Sequence, residues 1–170
     1  GAADMGCQPH QGAGYFEVAD EKNQKFYTEK YGVTHPTKPG LKIPQMFEAA
    51  IDKELKGLWI IGEDIVQTDP NSAHVVEAMN SLELLVVQEI FMSETAKLAT
   101  VVLPGTTFLE KDGTFTNTER RIQRVNRAVE PLPGTKPDGL IVTEMMKKLG
   151  FDQPTYDADQ VLSEIADVVP

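Results

Sequence analysis

The sequence predicts an α/β fold, a parallel sheet flanked by helices with an irregular N-terminal arm and a C-terminal helical extension. Three short, mainly apolar runs indicate the strands: Leu58–Ile61, Leu84–Val87 and Thr100–Leu103. Continuous apolar runs are typical of strands that are buried on both faces. Because helical patterns separate these runs and the connections are short, right-handed crossovers and a parallel sheet are expected.

Helical patterns lie before the first run and between the others. Pro44–Lys56 has apolar residues at helical spacing, with Pro44 in the first turn, where proline is tolerated. Asp69–Ser72 supplies capping residues for a helix that reaches about Asn80. Ser93–Ala96 opens a further short helix.

The two ends of the chain have a different character. Residues 1–43 are rich in Gly, Pro and polar residues, and predict a surface arm with one short helix at Glu21–Lys30. Beyond the third run, 114–115 and 122–129 are expected to be extended. Helices are then predicted at Asp138–Leu149, closed by Gly150, and at about Ala158–Val168. The predicted division is an arm (1–43), a domain (44–130), and a linker with C-terminal helices (131–170).

Composition excludes several kinds of function. The 170 residues carry a net charge of −10, which disfavours binding to nucleic acid or to an anionic membrane. No apolar stretch reaches the roughly 18 to 20 residues that span a bilayer, so direct membrane insertion is not expected. Cys7 is the only cysteine, so this chain alone cannot supply a disulfide or a four-cysteine cluster. The histidines lack ligand spacing, and no metal ligand is predicted among them: His10, His35 and His74.

Polar residues follow each predicted strand. They are Gly62-Glu63-Asp64 with Thr68, then Gln88-Glu89, and finally the segment 110–117. Because parallel strands present their carboxyl ends at one edge, these loops are expected to converge there. Position alone leaves open that they are ordinary loop residues. The sequence contains neither a Gly-x-Gly-x-x-Gly fingerprint nor a Gly-Lys-Ser/Thr phosphate loop.

Carboxylates at such an edge suit the recognition of a nucleoside. An ionised carboxylate can accept from the N1–H and N2–H₂ of guanine, or from two ribose hydroxyls. Asp64, Glu89 and Asp138 are candidates for this role, and Lys111 is a candidate for a pyrophosphate. The alternatives are helix capping for Asp64 and Asp138, and solvent-facing charges for Glu89 and Lys111.

Four arginines follow the third polar segment. In an extended chain they would point to both faces, so they form no single basic stripe. They are expected to pair with acidic neighbours, or with protein outside this chain, rather than to catalyse: Arg120, Arg121, Arg124 and Arg127.

Several ordered motifs together resemble the molybdopterin oxidoreductases, most closely the catalytic subunits of formate dehydrogenases, over nearly the whole chain. Ile61 and Ile65 stand where the family usually has Met and Pro, and Glu89 where many relatives have Asp. The motifs are Gly1-Ala2-Ala3-Asp4-Met5-Gly6, Trp59–Asp64 with Gln67-Thr68-Asp69-Pro70, Val86–Met92 with Thr95-Ala96, and Val101–Pro104 with Glu110–Arg121.

The resemblance implies a Rossmann-like domain that holds one of two molybdopterin guanine dinucleotides, which ligate molybdenum or tungsten. By motif position, Asp64 and Thr68 would contact the guanosine part of the cofactor. Gln88 and Glu89 would line the same site. The full set of cofactor-binding residues implied is Gly62, Glu63, Asp64, Thr68, Gln88, Glu89, Lys111 and Asp138.

The same resemblance implies that the redox centres lie outside this chain. In the family, the metal-ligating Cys or selenocysteine and the cysteines of a 4Fe-4S cluster lie upstream, and Cys7 has no family motif around it. The chain is therefore expected to contain no catalytic residue and to be inactive alone. In the parent, formate would be oxidised to carbon dioxide, and the remaining domains and electron-transfer subunits would be its partners. A cytoplasmic location is expected.

Two other functions stay open at this point. The large subunit of respiratory complex I uses a related domain as a structural scaffold, without the cofactor. The chain could also be a generic nucleotide binder. The intact Gly62-Glu63-Asp64 and Gln88 favour the cofactor-binding domain over the scaffold.

Overall fold

The computed structural model describes Ala3 and residues 5–169 of the chain. Gly1, Ala2 and Asp4 of the first motif lie outside the described residues. The chain forms two compact units. Unit 1 comprises Gly1–Lys42, Gly113–Val125 and Asp157–Pro170, and unit 2 comprises Ile43–Asp112 and Asn126–Tyr156. The three-part division expected from the sequence stays a prediction.

The helices and strands follow the order expected for an α/β fold. They are α1 Glu21–Tyr31, α2 Ile43–Ile51, β1 Gly57–Ile61, α3 Ile65–Thr68, α4 Ser72–Ser81, β2 Leu84–Glu89, α5 Glu94–Lys97, β3 Val101–Pro104, β4 Gly113–Thr116, β5 Ile122–Val125, α6 Asp138–Lys148 and α7 Ala158–Val168. No helix among the described residues has the length and apolar composition needed to cross a bilayer.

The three-stranded sheet of unit 2 confirms the predicted fold class. Its order is β1-β2-β3 and both strand pairs are parallel. Ile60 pairs with Val87, and Val87 pairs with Val102, so the three strands end close to the same edge. The loops that follow the three strands therefore begin at the same edge of the sheet in unit 2.

The prediction that β1 and β2 are buried on both faces is wrong. One face packs on α2, α4 and α5, and Ile60, Leu85 and Val87 are buried there. On the other face of β2, the exposed fraction falls from 45% at Leu84 to 1% at Gln88. That face is covered where Gln88 meets the start of α6, but not at the beginning of the strand.

Helix α2 ends earlier than the apolar pattern predicts. Ala49 O accepts hydrogen bonds from both Glu54 N and Leu55 N, and Lys53 has φ +62°. A left-handed residue with a bond from the sixth residue back to the first is a Schellman-type helix end. The apolar Leu55 therefore follows the helix and does not continue it.

Unit 1 contains the β4–β5 hairpin with α1 and α7. The hairpin is antiparallel, and the extended segment predicted at 122–129 forms a strand only to Val125. Helix α7 contacts β4 and a 3₁₀ turn at Ala13–Tyr15. A cavity of about 410 Å³ in this unit is lined by Phe16, Lys22, Asn23, Phe26, Asp167 and Val168.

Candidate functional site

The loop after β1 begins with a glycine that the backbone requires. Gly62 has φ +64°, a left-handed conformation that favours glycine, and its N–H donates to Gln88 O at 2.9 Å. This bond extends the β1–β2 pairing by one residue and turns the chain into α3. Further along the loop, the Thr68 hydroxyl donates to Glu63 Oε1 at 2.5 Å, and both side chains are exposed.

The Asp64 carboxylate binds the first turn of α5. Its Oδ1 accepts from Thr95 N at 3.0 Å and from Thr95 Oγ1 at 2.7 Å. Its Oδ2 accepts from Gln67 Nε2 at 2.5 Å and from Glu94 N at 3.3 Å. Burial raises the pKa of this carboxyl, but the hydrogen bonds, first those from Thr95, outweigh burial and hold the pKa of Asp64 below its ordinary value.

A second group of polar side chains lies at the ends of β2 and β3. Gln88 Nε2 donates to Asp138 Oδ1 at 2.7 Å, and Lys111 Nζ donates to Asp138 Oδ2. Because a carboxylate can only accept, the amide nitrogen of Gln88 faces Asp138. The Gln88 carbonyl oxygen is buried and has no hydrogen-bond partner.

The start of α6 is positioned by the edge of β3. Lys136 forms a parallel bridge with Gly105, and Lys136 N donates to Pro104 O at 3.1 Å. This bridge brings Asp138, the first residue of α6, to the carboxyl end of the sheet. A Cβ at Gly105 would lie 3.1 Å from Asp138 Oδ1, so the glycine permits a close approach.

Glu110 fixes the loop that carries Lys111. Its Oε2 accepts from both the N–H and the hydroxyl of Thr107 at 2.8 Å, and its Oε1 accepts from Leu132 N at 2.9 Å. These bonds, first the one from the Thr107 N–H, lower the pKa of Glu110 below its ordinary value. The ionised carboxylate therefore ties the loop to the segment that leads into α6.

The structure joins some of the expected site residues and leaves others apart. Gln88, Lys111 and Asp138 form one hydrogen-bonded group. Glu63 and Thr68 pair with each other, and Asp64 with Thr95, Gln67 and Glu94. Glu89 accepts from the next backbone N–H, that of Ile90, at 2.7 Å. The assignment of these residues and Gly62 to a cofactor stays a prediction.

The Glu110–Arg121 segment divides between the two units. Glu110 and Lys111 belong to unit 2, whereas Gly113 begins the hairpin of unit 1. Two of the arginines that follow pair with acidic residues, as expected: Arg124 with Asp159 in unit 1 and Arg127 with Glu130 in unit 2. The Arg120 guanidinium lies 5.4 Å from the centre of the Tyr15 ring.

Three buried polar residues of this region were not among the site residues predicted from the sequence, although Glu110 begins the third polar segment. Thr95, Thr106 and Glu110 are all buried. Thr95 lies at a helix start and Glu110 three residues after Thr107, a spacing that a capping-box search would have found. For Thr106, the only signal is its position just beyond a strand.

No group of three or more His, Cys, Asp or Glu side chains suited to a metal ion occurs among the described residues.

Comparison with known proteins identifies the family. Residues 3–148 match the molybdopterin oxidoreductase family. The whole chain is 43% identical to part of a putative formate dehydrogenase of Bacillus subtilis, and spans 17% of that protein. It is 42% identical to part of the alpha subunit of an F420-dependent formate dehydrogenase of Methanocaldococcus jannaschii, and spans 25% of it.

A solved structure supports the fold. The acetylene hydratase of Pelobacter acetylenicus superposes with a TM-score of 0.60 at 20% sequence identity. The match covers 88% of this chain and 20% of the hydratase chain. Because the family match extends over most of the 170 residues, the chain belongs to the molybdopterin oxidoreductase family.

Proposed function

We propose that this chain binds the guanosine end of a molybdopterin guanine dinucleotide within a formate dehydrogenase-like oxidoreductase. The observation that carries the proposal is the group formed by Gln88, Lys111 and Asp138, in which the buried Gln88 carbonyl oxygen has no partner. Buried polar atoms normally have one. An unpaired acceptor at the carboxyl edge of a parallel sheet suits an N–H or O–H donor of a nucleotide.

The neighbouring residues fit the same ligand. The Lys111 ammonium can donate to a phosphate oxygen. Gly105 and Gly62 leave the backbone free of side chains at the ends of β3 and β1. The residues proposed to hold the cofactor are Gly62, Glu63, Asp64, Thr68, Gln88, Glu89, Lys111 and Asp138.

In this proposal, the bound molybdenum or tungsten cofactor supplies two-electron redox chemistry, and this chain contributes binding and orientation only. Formate oxidation to carbon dioxide, a 4Fe-4S cluster and electron-transfer subunits belong to the parent protein. The names of the relatives, which are formate dehydrogenases and their alpha subunits, support this assignment. The isolated chain is expected to be inactive, because none of its residues is proposed to take part in the chemistry.

Titration of the isotope-labelled chain with GDP, followed by amide NMR, tests the binding role. We expect weak binding, with shifts centred on Gln88, Lys111 and Asp138, because the other domains that would enclose the ligand are missing. Lys111→Met should weaken GDP binding about tenfold or more, because it removes one charge-assisted hydrogen bond.

Lys136→Met is the matched control. Lys136 also lies in unit 2, but its ion pair is with Glu144 and not with a residue of the proposed site. It should leave GDP binding unchanged. If GDP shifts no resonance of unit 2, or if both lysine variants behave alike, the proposed site is wrong.

The redox assignment is tested on the full-length parent. We expect the purified protein to contain molybdenum or tungsten and to reduce an artificial acceptor when formate is added. A parent that contains neither metal would contradict the proposal and favour a scaffold role of the complex I type.

A further inference from the structure

Thr106 is the second buried polar residue at this edge with an unpaired side-chain oxygen. Its side chain is 2% exposed, and its hydroxyl oxygen makes no hydrogen bond within the protein. Gln88, 1% exposed, has an unpaired carbonyl oxygen in the same part of unit 2. Each unpaired buried group costs stability, so two unpaired oxygens at the same edge of the sheet call for an explanation.

Lys111 connects Thr106 to the group already described. Lys111 Nζ donates to the backbone oxygen of Thr106 at 3.3 Å and to Asp138, which in turn accepts from Gln88. The Lys111 and Asp138 side chains are 26% and 38% exposed, so they form an outer polar layer. Thr106 and Gln88 are more deeply buried, and they have an unpaired hydroxyl and an unpaired acceptor.

The surrounding contacts hold Thr106 in place without using its hydroxyl. On one side, Gly105 N donates to Glu89 O at 3.1 Å. On the other, Thr107 begins the turn that Glu110 caps through two hydrogen bonds. The position of Thr106 is therefore fixed by backbone and neighbouring side chains, and its hydroxyl is free to serve a ligand.

We propose that the Thr106 hydroxyl is a further binding group of this site, which hydrogen-bonds to the guanosine part of the dinucleotide beside the Gln88 carbonyl oxygen. The inference rests on the proposed function and adds a residue to it. A hydroxyl can donate or accept, whereas the Gln88 oxygen can only accept, so the two offer complementary bonding to a nucleoside. Both oxygens are shielded from solvent, so the groups that cover them must shift before a ligand can reach them.

The test compares thermal stability with GDP binding in Thr106→Val, which keeps the shape and removes the hydroxyl. If the hydroxyl serves a ligand, its loss removes an unpaired buried group, so the melting temperature of the ligand-free chain should not fall. Binding of GDP should weaken about fivefold to tenfold. Thr106→Ser, which keeps the hydroxyl, should bind GDP like the wild type.

Thr95→Val is the matched control for stability. Thr95 is also buried, but its hydroxyl donates to Asp64 and accepts from Val66 N, so its removal should lower the melting temperature. A fall of similar size in Thr106→Val would show a structural role and overturn the inference. So would unchanged GDP binding by Thr106→Val.

A wild-type chain that binds no GDP has a different meaning. That result would refute the proposed nucleotide site itself, and the role of Thr106 with it. Normal wild-type binding with unchanged Thr106→Val binding would overturn only the inference about Thr106. The two failures are thus distinguishable in one set of titrations.

Discussion

At the residue scale, the Asp64 carboxylate holds together the loop after β1 and the start of α5. An ionised carboxylate offers about four lone-pair sites. In unit 2 these face four donors, which come from Thr95, Gln67 and Glu94. Removing the charge is therefore expected to lower the stability of unit 2 even when no ligand is bound.

Asp64→Asn should lower the free energy of unfolding by about 1–3 kcal/mol, because an amide nitrogen would face backbone and hydroxyl donors. Urea unfolding at pH 7 measures this loss. Asp69→Asn is the control, since Asp69 accepts only one described side-chain hydrogen bond, from Asn71 N at 2.9 Å. Asp69→Asn should lower the free energy of unfolding by clearly less than Asp64→Asn does. Equal losses in the two variants would contradict the structural role of Asp64.

The lowered pKa of Asp64 also predicts a pH dependence. Its folded-state pKa lies below the ordinary value of 3.8, so the unfolded chain takes up the proton first as the pH falls. The stabilisation is fully present above that ordinary value and is lost as the pH falls through the folded-state pKa. The stability difference between wild type and Asp64→Asn should therefore shrink below about pH 4. A difference that stays constant down to pH 3 would exclude this linkage.

At the element scale, β2 is the strand on which both the core and the site depend. Alternate residues of a strand point to opposite faces. Leu85 and Val87 thus enter the core beneath α2 and α4, while Gln88 points to the face covered at the start of α6. A change in the register of β2 would move the core residues and the site residue together.

Leu85→Ala should destabilise the protein by about 3 kcal/mol, because it leaves a cavity in a packed core. Leu84→Ala is the adjacent control, on the opposite face and 45% exposed, and it should cost well under half as much. Chemical denaturation of both variants measures the difference. Similar losses would mean that the second face of β2 is also packed at Leu84.

The elements differ in how far the sequence could predict them. The strands of unit 2 have compact apolar runs, and the start of α4 has a capping residue, Asn71, that accepts from His74 N. The end of α2 was not predictable from periodicity, because it depends on the left-handed backbone at Lys53. Helix α3, only four residues long, has too few turns to show a period.

At the scale of the whole molecule, long-range contacts set the limit of prediction. The hydrogen bond from Gln88 to Asp138 joins residues 50 positions apart, so no local pattern could reveal it. The sequence did indicate that both residues belong to the candidate site, through their positions after a strand and before a helix. It could not indicate that Asp138 would fix the orientation of the Gln88 amide and leave its oxygen unpaired.

The stability of unit 1 is expected to depend on helix α7. Val168 is 2% exposed, Asp167 pairs with Lys30 at 3.6 Å, and Asp159 pairs with Arg124. Deleting residues 157–170 should therefore raise the hydrogen-exchange rates of amides in α1 and the β4–β5 hairpin. Amides of β2 should keep their protection, because their strand partners all lie within unit 2.

Val161→Ala is the control for this deletion, since Val161 lies on the same helix but is 44% exposed. It should leave exchange in α1 near the wild-type rate. If α1 keeps its protection without residues 157–170, helix α7 does not stabilise unit 1.

The hydrogen bond between Gln88 and Asp138 also limits which substitutions are tolerated at position 88. A single-base change converts a glutamine codon into a glutamate codon, and in most proteins this exchange is mild. At position 88 it would place a second carboxylate 2.7 Å from the first, in a side chain that is 1% exposed. Lys111, which already pairs with Asp138, carries only one positive charge. Glutamate is only one base change from glutamine, yet it is one of the residues that this position tolerates least.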